Sequence, residues 1–151
     1  MDELRTVEGG VEPTQYIVIQ IGSEAYGINI SFIENISKMV RITRVPKTPA
    51  YIKGVINLRG EVVPVMSTRI KMGLEPDVET HSTRIIILKF EQQGFIGVIV
   101  DEVNEVVTLD TETIDKVPYE AKDENYIQGV GKCEDGLISI LDLNALINEQ
   151  V

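Results

Sequence analysis

The sequence predicts an all-β, barrel-like fold made of two similar halves, and three observations support this prediction. Short apolar stretches recur at regular spacing, with Gly and Pro between them, as expected for strands joined by tight turns. Residues 51–65 form two apolar stretches joined by Arg59 and Gly60, which is the pattern of a β-hairpin. A similar stretch follows at residues 126–141, with Gly136 in its turn. We therefore expect about five strands in each half.

The duplication keeps its order along the chain. Three segments of the first half return in the second: residues 27–28, 42–46 and 51–55 return as residues 97–98, 114–118 and 126–130. The offset grows from 70 through 72 to 75 residues, as small loop insertions between equivalent elements would produce. Internal repeats define an architecture and are sought before a fold is assigned. We infer a module repeated at about residues 16–68 and 84–143, with a linker at residues 69–82.

The size of each half constrains how the halves are arranged. A unit of about 55 residues buries too little apolar surface to be comfortably stable alone. We therefore expect the halves to share one hydrophobic core, as two intertwined barrel subdomains of a single domain at residues 15–151. The groove where they meet is the natural place for a ligand.

The individual elements follow from the apolar periodicity. The strands expected in the first half are residues 16–21, 26–30, 39–45, 55–58 and 61–65, and those in the second are residues 83–90, 95–100, 103–109, 126–130 and 137–141. Ile30, Ile33 and Ile36 fall on one face of a short helix or turn. A polar loop is expected at residues 118–125. Residues 142–149 predict a C-terminal helix capped by Asp142 or Asn144.

Composition and charge narrow the classes of function. The chain is 43% hydrophobic and 25% charged, as in soluble globular proteins. Its formal net charge of −10 argues against a phosphate-backbone binder and against attraction to an anionic membrane. No apolar run approaches the ~20 residues needed to span a bilayer.

Residues 1–14 lack a signal-peptide pattern and are expected to form a mobile leader. The single cysteine, Cys133, excludes an internal disulfide and fits a reducing cytoplasm.

No catalytic arrangement of residues is found in the sequence. The only histidine, His81, lies in the charged linker, and there is no phosphate loop, nucleophile elbow or zinc-ligand spacing. Cys133 has no nearby histidine and is expected to be inert. Asp101, Glu102 and Glu105 suggest a hard-cation site, but without regular ligand spacing a solvated acidic face is the better interpretation. We therefore expect no enzymatic activity, no metal and no cofactor.

Comparison of the two copies separates residues that the module needs from residues free to serve a function. Asn-Leu-Arg at residues 57–59 has no counterpart at residues 132–135, so Arg59 is a candidate binding residue, with a solvated turn arginine as the alternative. Gly54 and Gly129 occur in both copies and are explained by backbone geometry or close packing.

A second set of candidates is apolar in both copies. These positions are Ile30, Ile33 and Ile36 in the first copy and Val100, Val103 and Val106 in the second. They either face the shared core or line a groove between the halves. An apolar groove of that kind would accept an amphipathic helix.

Several stretches resemble the CheW family of chemotaxis coupling proteins. They are EAYGINI at residues 24–30, TPAYIKGVINLRGEVVPV at 48–65, GFIGVIVDEVNEV at 94–106 and YIQGVGKCEDGLISILDL at 126–143. The resemblance covers about residues 16–146, and GVINLRG at residues 54–60 is its most specific segment. The same module occurs in CheV and as the regulatory domain of the histidine kinase CheA. This length leaves no room for a kinase or receiver domain, so the freestanding coupling protein is the better match.

The resemblance implies both a fold and a role. The fold is two five-stranded SH3-like barrels around a joint core, and the role is a non-enzymatic adaptor linking methyl-accepting chemoreceptors to CheA. One surface would pair with the CheA regulatory domain, and the groove between barrels would receive the cytoplasmic receptor tip. The expected location is cytoplasmic, at membrane-associated receptor arrays. The resemblance places the following residues in the receptor groove: Ile17, Ile30, Ile33, Asn35, Ile36, Gly54, Arg59 and Val103.

Two positions depart from the family pattern. Some relatives carry a carboxylate that pairs with the turn arginine, whereas this chain has Asn35 there and Glu34 just before it. An amide accepts a hydrogen bond from Arg59 more weakly than a carboxylate does. Ser67-Thr68 stands where the family often has Asp-Leu, a change expected to weaken a turn or cap, while the second copy keeps Asp142-Leu143.

Two other classes of function compete with the adaptor. The first is a small-ligand or metal-binding module that uses the cleft between the barrels. The second is a barrel that binds single-stranded nucleic acid, which the acidity and the aromatic content of 5% oppose because such sites need stacking platforms and positive grooves. We therefore expect no nucleic-acid partner and no membrane insertion.

Overall fold

The structure is a computed structural model that describes residues 13–116, 126–133 and 136–148, and within these ranges it contains eleven strands and two short helices. The strands are β1 (Pro13–Ile21), β2 (Glu24–Asn29), β3 (Ile33–Lys38), β4 (Ile52–Leu58), β5 (Glu61–Ser67), β6 (Arg84–Phe90), β7 (Gly94–Val100), β8 (Glu102–Asp110), β9 (Asp115–Lys116), β10 (Ile127–Cys133) and β11 (Gly136–Leu141). The helices are α1 (Thr68–Lys71) and α2 (Leu143–Ile147), and 3-10 turns form at Ile30–Phe32 and Thr111–Thr113. The predicted all-β class is confirmed. The predicted leader and the polar loop at residues 118–125 lie largely or wholly outside the described residues.

Two sheets repeat the same arrangement of strands. The five-stranded sheet has the order β3-β6-β7-β5-β4, and the six-stranded sheet has the order β8-β1-β2-β11-β10-β9. The first five strands of the two orders correspond one to one. Each sheet contains antiparallel hairpins and one parallel pair at the same position. The parallel pair is β5 with β7 in the five-stranded sheet and β11 with β2 in the six-stranded sheet. The predicted pseudo-symmetry is therefore visible in the topology.

The sequence repeats and the sheets do not coincide. The five-stranded sheet takes β3, β4 and β5 from the first repeat and β6 and β7 from the second, whereas β1 and β2 of the first repeat join the six-stranded sheet. Each repeat therefore gives its first hairpin to the other sheet. Because the two copies have similar strand patterns, the sequence does not distinguish pairing within a repeat from pairing across repeats.

The chain divides into two compact units, and their boundaries follow the two sheets rather than the two sequence repeats. The second unit comprises residues 19–24 and 31–104, and the first comprises the described parts of residues 1–18, 25–30 and 105–151. They differ from the repeats at residues 16–68 and 84–143 because of the hairpin exchange. The linker at residues 69–82 begins within helix α1, which is formed by residues 68–71.

Each unit has its own apolar interior. In the second unit the buried cluster is Ile56, Val63, Val65, Ile85, Ile87 and Ile99. In the first unit it is Tyr16, Val18, Leu109, Ile138 and Ile140. These residues alternate along their strands, so one face of each strand points into its interior. Full burial of such a side chain contributes roughly 1.5–3 kcal/mol.

Side chains of neighbouring strands pack closely against the backbone of Gly97 in the parallel pair of the second unit. Strands β5 and β7 pair with Val65 opposite Gly97. A Cβ atom at Gly97 would lie 2.9 Å from Ile85 Cγ2 and 3.4 Å from Val65 Cγ2. A side chain at this position would therefore have to displace Ile85. Thr68 strengthens the same junction, because its hydroxyl donates to the Ile99 carbonyl over 2.6 Å.

The two short helices begin at equivalent caps. The Asp142 carboxylate accepts from Ala145 N over 3.2 Å at the start of α2, which confirms Asp142 as the cap. The Ser67 hydroxyl accepts from Ile70 N over 3.1 Å at the start of α1. The substitution of Ser67 for the usual Asp therefore keeps the cap.

Within the described ranges, no helix is long and apolar enough to cross a membrane.

The strand predicted at residues 39–45 was wrong. Residues 39–45 pair with β4 only through a bridge between Thr43 and Val55, which exchange both backbone hydrogen bonds at 2.9 and 2.8 Å. The side chains of Met39 and Ile42 still pack against the interior of the second unit. Their apolar character therefore reflects packing rather than continuous strand pairing.

Candidate functional site

A bulge in β3 sets the position of three predicted site residues. Ile33 pairs with Leu88 of β6, but Asn35 pairs with Ile87, so two steps along β3 match one step along β6. Glu34 is the extra residue of this bulge. The predicted short helix is confined to the 3-10 turn at Ile30–Phe32.

The bulge places Ile33 and Ile36 on the same face of the sheet. Ile36 pairs with Ile86, and directly paired residues of antiparallel strands point to the same side. Ile33 and Ile36 therefore share the side of Leu88 and Ile86, opposite the side of Ile87, which belongs to the buried cluster. Ile33 is half-buried and Ile36 is 37% exposed. The helix-like spacing of the isoleucines is thus produced by a bulged strand.

The β4–β5 turn holds Arg59 in an unusual backbone conformation. Arg59 has φ 52° and Gly60 has φ 85°, as in the type I′ turns of two-residue hairpins. A non-glycine residue at positive φ costs about 1 kcal/mol, and Asn is better tolerated there than Arg. The Asn57 side chain supports the turn by accepting from Gly60 N over 3.1 Å. Arg59 is therefore not the residue that the turn itself favours.

Glu34 is the ionic partner of Arg59. Arg59 Nη1 lies 4.0 Å from Glu34 Oε2, and the two side chains are 69% and 33% exposed. Exposed pairs of this kind contribute about 0–1 kcal/mol. The Asn35 amide oxygen instead accepts from Ile36 N over 2.9 Å, so of the two residues considered for pairing with Arg59 it is Glu34 that lies within ion-pair distance.

The Glu34–Arg59 pair also marks the closure of the barrel. Strands β3 and β4 are the two edges of the five-stranded order, yet the start of β3 and the end of β4 come within ion-pair distance. A cleft of about 160 Å³ lies beside this point and is lined by Leu58, Arg59, Glu61 and Phe95. The rolled sheet therefore brings the β3 bulge and the Arg59 turn together.

Gly54 of β4 is packed closely against the backbone of Thr43. Its φ is +146°, and a Cβ atom there would lie 2.1 Å from the Thr43 carbonyl oxygen. Gly54 is buried, so it contributes geometry and little surface. Gly129 is tightly packed in the same way, since its Cβ would lie 2.6 Å from Ile114 Cγ2. The close contacts at both positions support the explanation that Gly54 and Gly129 occur in both copies because of backbone geometry or close packing.

The other predicted site residues lie on separate elements. Ile17 lies on β1 and is buried, whereas Ile30 is half-buried in the first 3-10 turn. Both belong to the first unit. Val103 is half-buried near the start of β8 and belongs to the second unit.

Asp101 has a role that the sequence did not reveal. Its carboxylate accepts from Arg69 Nε over 3.0 Å, from Arg69 Nη2 over 2.7 Å and from Gly22 N over 2.8 Å. The hydrogen bond with Arg69 lowers the pKa of Asp101 below its ordinary value, the Gly22 hydrogen bond adds to this, and burial opposes it. The same hydrogen bond raises the pKa of Arg69.

This network corrects the expectation of a solvated carboxylate at Asp101, whereas Glu102 and Glu105 are exposed as expected. It ties together the β1–β2 turn, helix α1 and the β7–β8 junction within the second unit. A useful signal was the position of Asp101 directly after a buried apolar strand. Among the described residues, no group of three or more His, Cys, Asp or Glu side chains is placed to hold a metal ion.

Comparisons with known proteins agree with this architecture. The CheW-like domain family matches residues 15–151. The chemotaxis protein CheW of Helicobacter pylori is 36% identical over 143 residues, which cover 94% of this chain and 86% of the relative. That of Bacillus subtilis is 35% identical over 136 residues, or 89% and 86% of the two chains. The crystal structure of the scaffolding protein TtCheW from Thermoanaerobacter tengcongensis matches with a TM-score of 0.82 at 32% identity, covering 92% of this chain and 95% of that one.

The fold and these relatives define an all-β scaffold or adaptor module of chemotaxis. The chain belongs to the CheW-like domain family, and the family resemblance inferred from the sequence is confirmed.

Substitution of Gly54 by Ala is expected to destabilise the second unit strongly. The added Cβ meets a backbone oxygen that is fixed by the Thr43–Val55 bridge, so we expect a loss of at least about 3 kcal/mol. The matched control is Gly73→Ala, which also has positive φ but no atom within 4 Å of the new Cβ and should lose only about 1 kcal/mol. Urea unfolding measures both, and equal losses would contradict the steric explanation.

Asp101→Asn is expected to lower stability by about 1–3 kcal/mol at neutral pH, because a charged acceptor shared by Arg69 and Gly22 is lost. The folded-state pKa of Asp101 lies below the unfolded value, so its contribution is present above the unfolded pKa and is lost as the pH falls through the folded pKa. The difference between wild type and variant should therefore shrink under acidic conditions. A difference independent of pH between neutral and strongly acidic solution would contradict this assignment.

Proposed function

We propose that this chain is a non-enzymatic adaptor that couples methyl-accepting chemoreceptors to the histidine kinase CheA. The observation that carries the proposal is the surface formed by Ile33, Ile36 and Arg59, which we call the β3–turn surface. It combines partly exposed apolar side chains with an exposed arginine in a conformation that its turn does not favour. Residues held in unfavourable backbone conformations concentrate at functional sites.

The chemistry of this surface suits a helical partner. An amphipathic helix presents apolar anchors three or four residues apart, and Ile33 and Ile36 offer apolar contacts on one side of a strand. Arg59 adds charged donors at the edge of that contact, where they can pair with carboxylates or carbonyl oxygens of the helix. The cytoplasmic tip of a chemoreceptor is the occupant that we propose.

The remaining predicted residues have two proposed roles. Ile30, half-buried in the first unit, and Val103, half-buried in the second, are each proposed as a further apolar contact of the receptor tip. Asn35 and Gly54 are proposed to fix the backbone of their own strands, Asn35 through its hydrogen bond with Ile36 N and Gly54 through its close packing. Ile17 is buried and acts through packing.

The second proposed partner is the regulatory domain of CheA, which contains a related module. We propose that the two pair barrel to barrel through a surface distinct from the β3–turn surface. The chain would then be recruited to membrane-associated receptor arrays by its partners. The family relationship to proteins named as chemotaxis and scaffolding proteins supports this proposal.

Ile36→Asp and Ile33→Asp are expected to weaken binding of a purified receptor-tip fragment at least about tenfold, because a carboxylate would have to be desolvated in an apolar contact. Ile36→Asp is the cleaner variant, since Ile36 is already 37% exposed. The matched control is Val78→Asp, an exposed apolar residue on the same unit but outside the β3–turn surface. Titration calorimetry measures the affinity, and unchanged affinity in a folded Ile36→Asp variant would reject this surface.

Arg59→Asn is expected to separate stability from binding. Asn tolerates positive φ better than Arg, so the variant should be as stable as wild type or up to about 1 kcal/mol more stable, while receptor-tip binding falls several-fold. The control for lost charge is Lys89→Asn at an exposed position of β6. A parallel fall of thermal stability and binding would instead assign Arg59 a structural role.

A further inference from the structure

Positive charge is concentrated in one short segment of this acidic protein. Residues 38–53 contain five of the 14 basic residues and none of the 24 acidic ones. The five are Lys38, Arg41, Arg44, Lys47 and Lys53, and all are exposed. No ion pair joins any of them to an acidic side chain within residues 13–116, 126–133 and 136–148. A cationic surface therefore persists on a chain whose formal net charge is −10.

The segment encloses a depression, which we call the cationic pocket. Its volume is about 380 Å³, and its lining includes Arg44, Lys47 and Lys53. Three apolar residues, Ile42, Val45 and Ile52, line the same pocket. Val45 is 38% exposed although it is apolar. Positive charge and apolar surface are thus presented side by side.

The backbone of the cationic pocket is restrained. Pro46 and Pro49 fix φ at two of its positions, and Lys47 adopts φ 65° between them. The Thr48 hydroxyl donates to the Val45 carbonyl over 3.1 Å, and Thr43 anchors the segment through its two hydrogen bonds to Val55. A restrained pocket loses little entropy when a ligand binds.

We infer that the cationic pocket is a docking site for an acidic segment of a partner protein, one that carries an apolar side chain among its carboxylates. The carboxylates would pair with Arg44, Lys47 and Lys53, and the apolar side chain would contact Ile42, Val45 and Ile52. The inference is independent of the proposed receptor contact, because no residue of the β3–turn surface lines the pocket.

The shape and charge of the chain favour a peptide over other anions. A lipid surface is flat, and the net charge of −10 repels it over a screening length of about 8 Å, whereas a peptide segment enters a concave site locally. A free phosphate ion would leave the apolar lining without a contact. An acidic segment with an apolar side chain uses both kinds of surface.

The test uses a short labelled peptide of repeated Glu-Glu-Leu and measures binding to the full chain by fluorescence anisotropy. The control peptide is repeated Gln-Gln-Leu. The pocket variant combines Arg44→Glu, Lys47→Glu and Lys53→Glu. The matched control variant combines Lys89→Glu, Lys116→Glu and Lys132→Glu, which make the same change in net charge at exposed positions outside the pocket. Thermal unfolding verifies that both variants are folded.

The inference predicts that the Glu peptide binds wild type more tightly than the Gln peptide does. The pocket variant should lose at least about tenfold in affinity, the control variant less than about threefold, and raising the salt from about 0.1 M to about 1 M should weaken binding. Equal losses in the two variants, or equal binding of the two peptides, would overturn the inference. So would binding only to phosphatidylglycerol vesicles, or full competition by millimolar inorganic phosphate. A pocket variant that fails to fold is replaced by the single variant Lys53→Glu with Lys89→Glu as its control, and the same criteria apply.

Discussion

The parallel pairing of β5 with β7 is the contact on which the second unit depends. It joins a hairpin of the first sequence repeat to a hairpin of the second, so neither repeat completes this sheet by itself. A side chain at Gly97 of β7 would crowd Ile85 of β6 and Val65 of β5, and Thr68 adds a hydrogen bond to the Ile99 carbonyl at the end of the pair. The β2–β11 pair is its counterpart, with Gly27 opposite Ile140. Tight packing therefore occurs at the same point in both sheets.

The proposed receptor contact is a consequence of how this sheet closes. The bulge at Glu34 turns Ile33 and Ile36 to one side, and the Arg59 turn meets the bulge because the two edge strands approach each other. The Glu34–Arg59 pair is exposed and contributes little stability. The unfavourable backbone of Arg59 is tolerated because the surrounding hairpin, with the Asn57–Gly60 hydrogen bond, fixes the turn.

Electrostatics act in two different ways on this chain. Asp101 is enclosed by Arg69 and the Gly22 N–H, so its negative charge is used inside the unit to join three segments. Among the described residues, no acidic side chain forms an ion pair with the cations of residues 38–53, three of which line the cationic pocket proposed for a partner. Net charge alone, at −10, gives no indication of this division. Local distribution, and not the total, decides which partners can approach a given surface.

The sequence by itself determined the all-β class, the doubled strand pattern, the central hairpin and the C-terminal helix, because alternation of apolar residues and turn chemistry are local properties. It also identified Arg59 and the β3 isoleucines as candidates. Only the tertiary structure decided which repeat pairs with which, since two similar copies carry no signal for the choice. The bulge at Glu34, the ion pair it makes and the network around Asp101 likewise depend on residues distant in sequence, whose approach is set by packing and not by local periodicity.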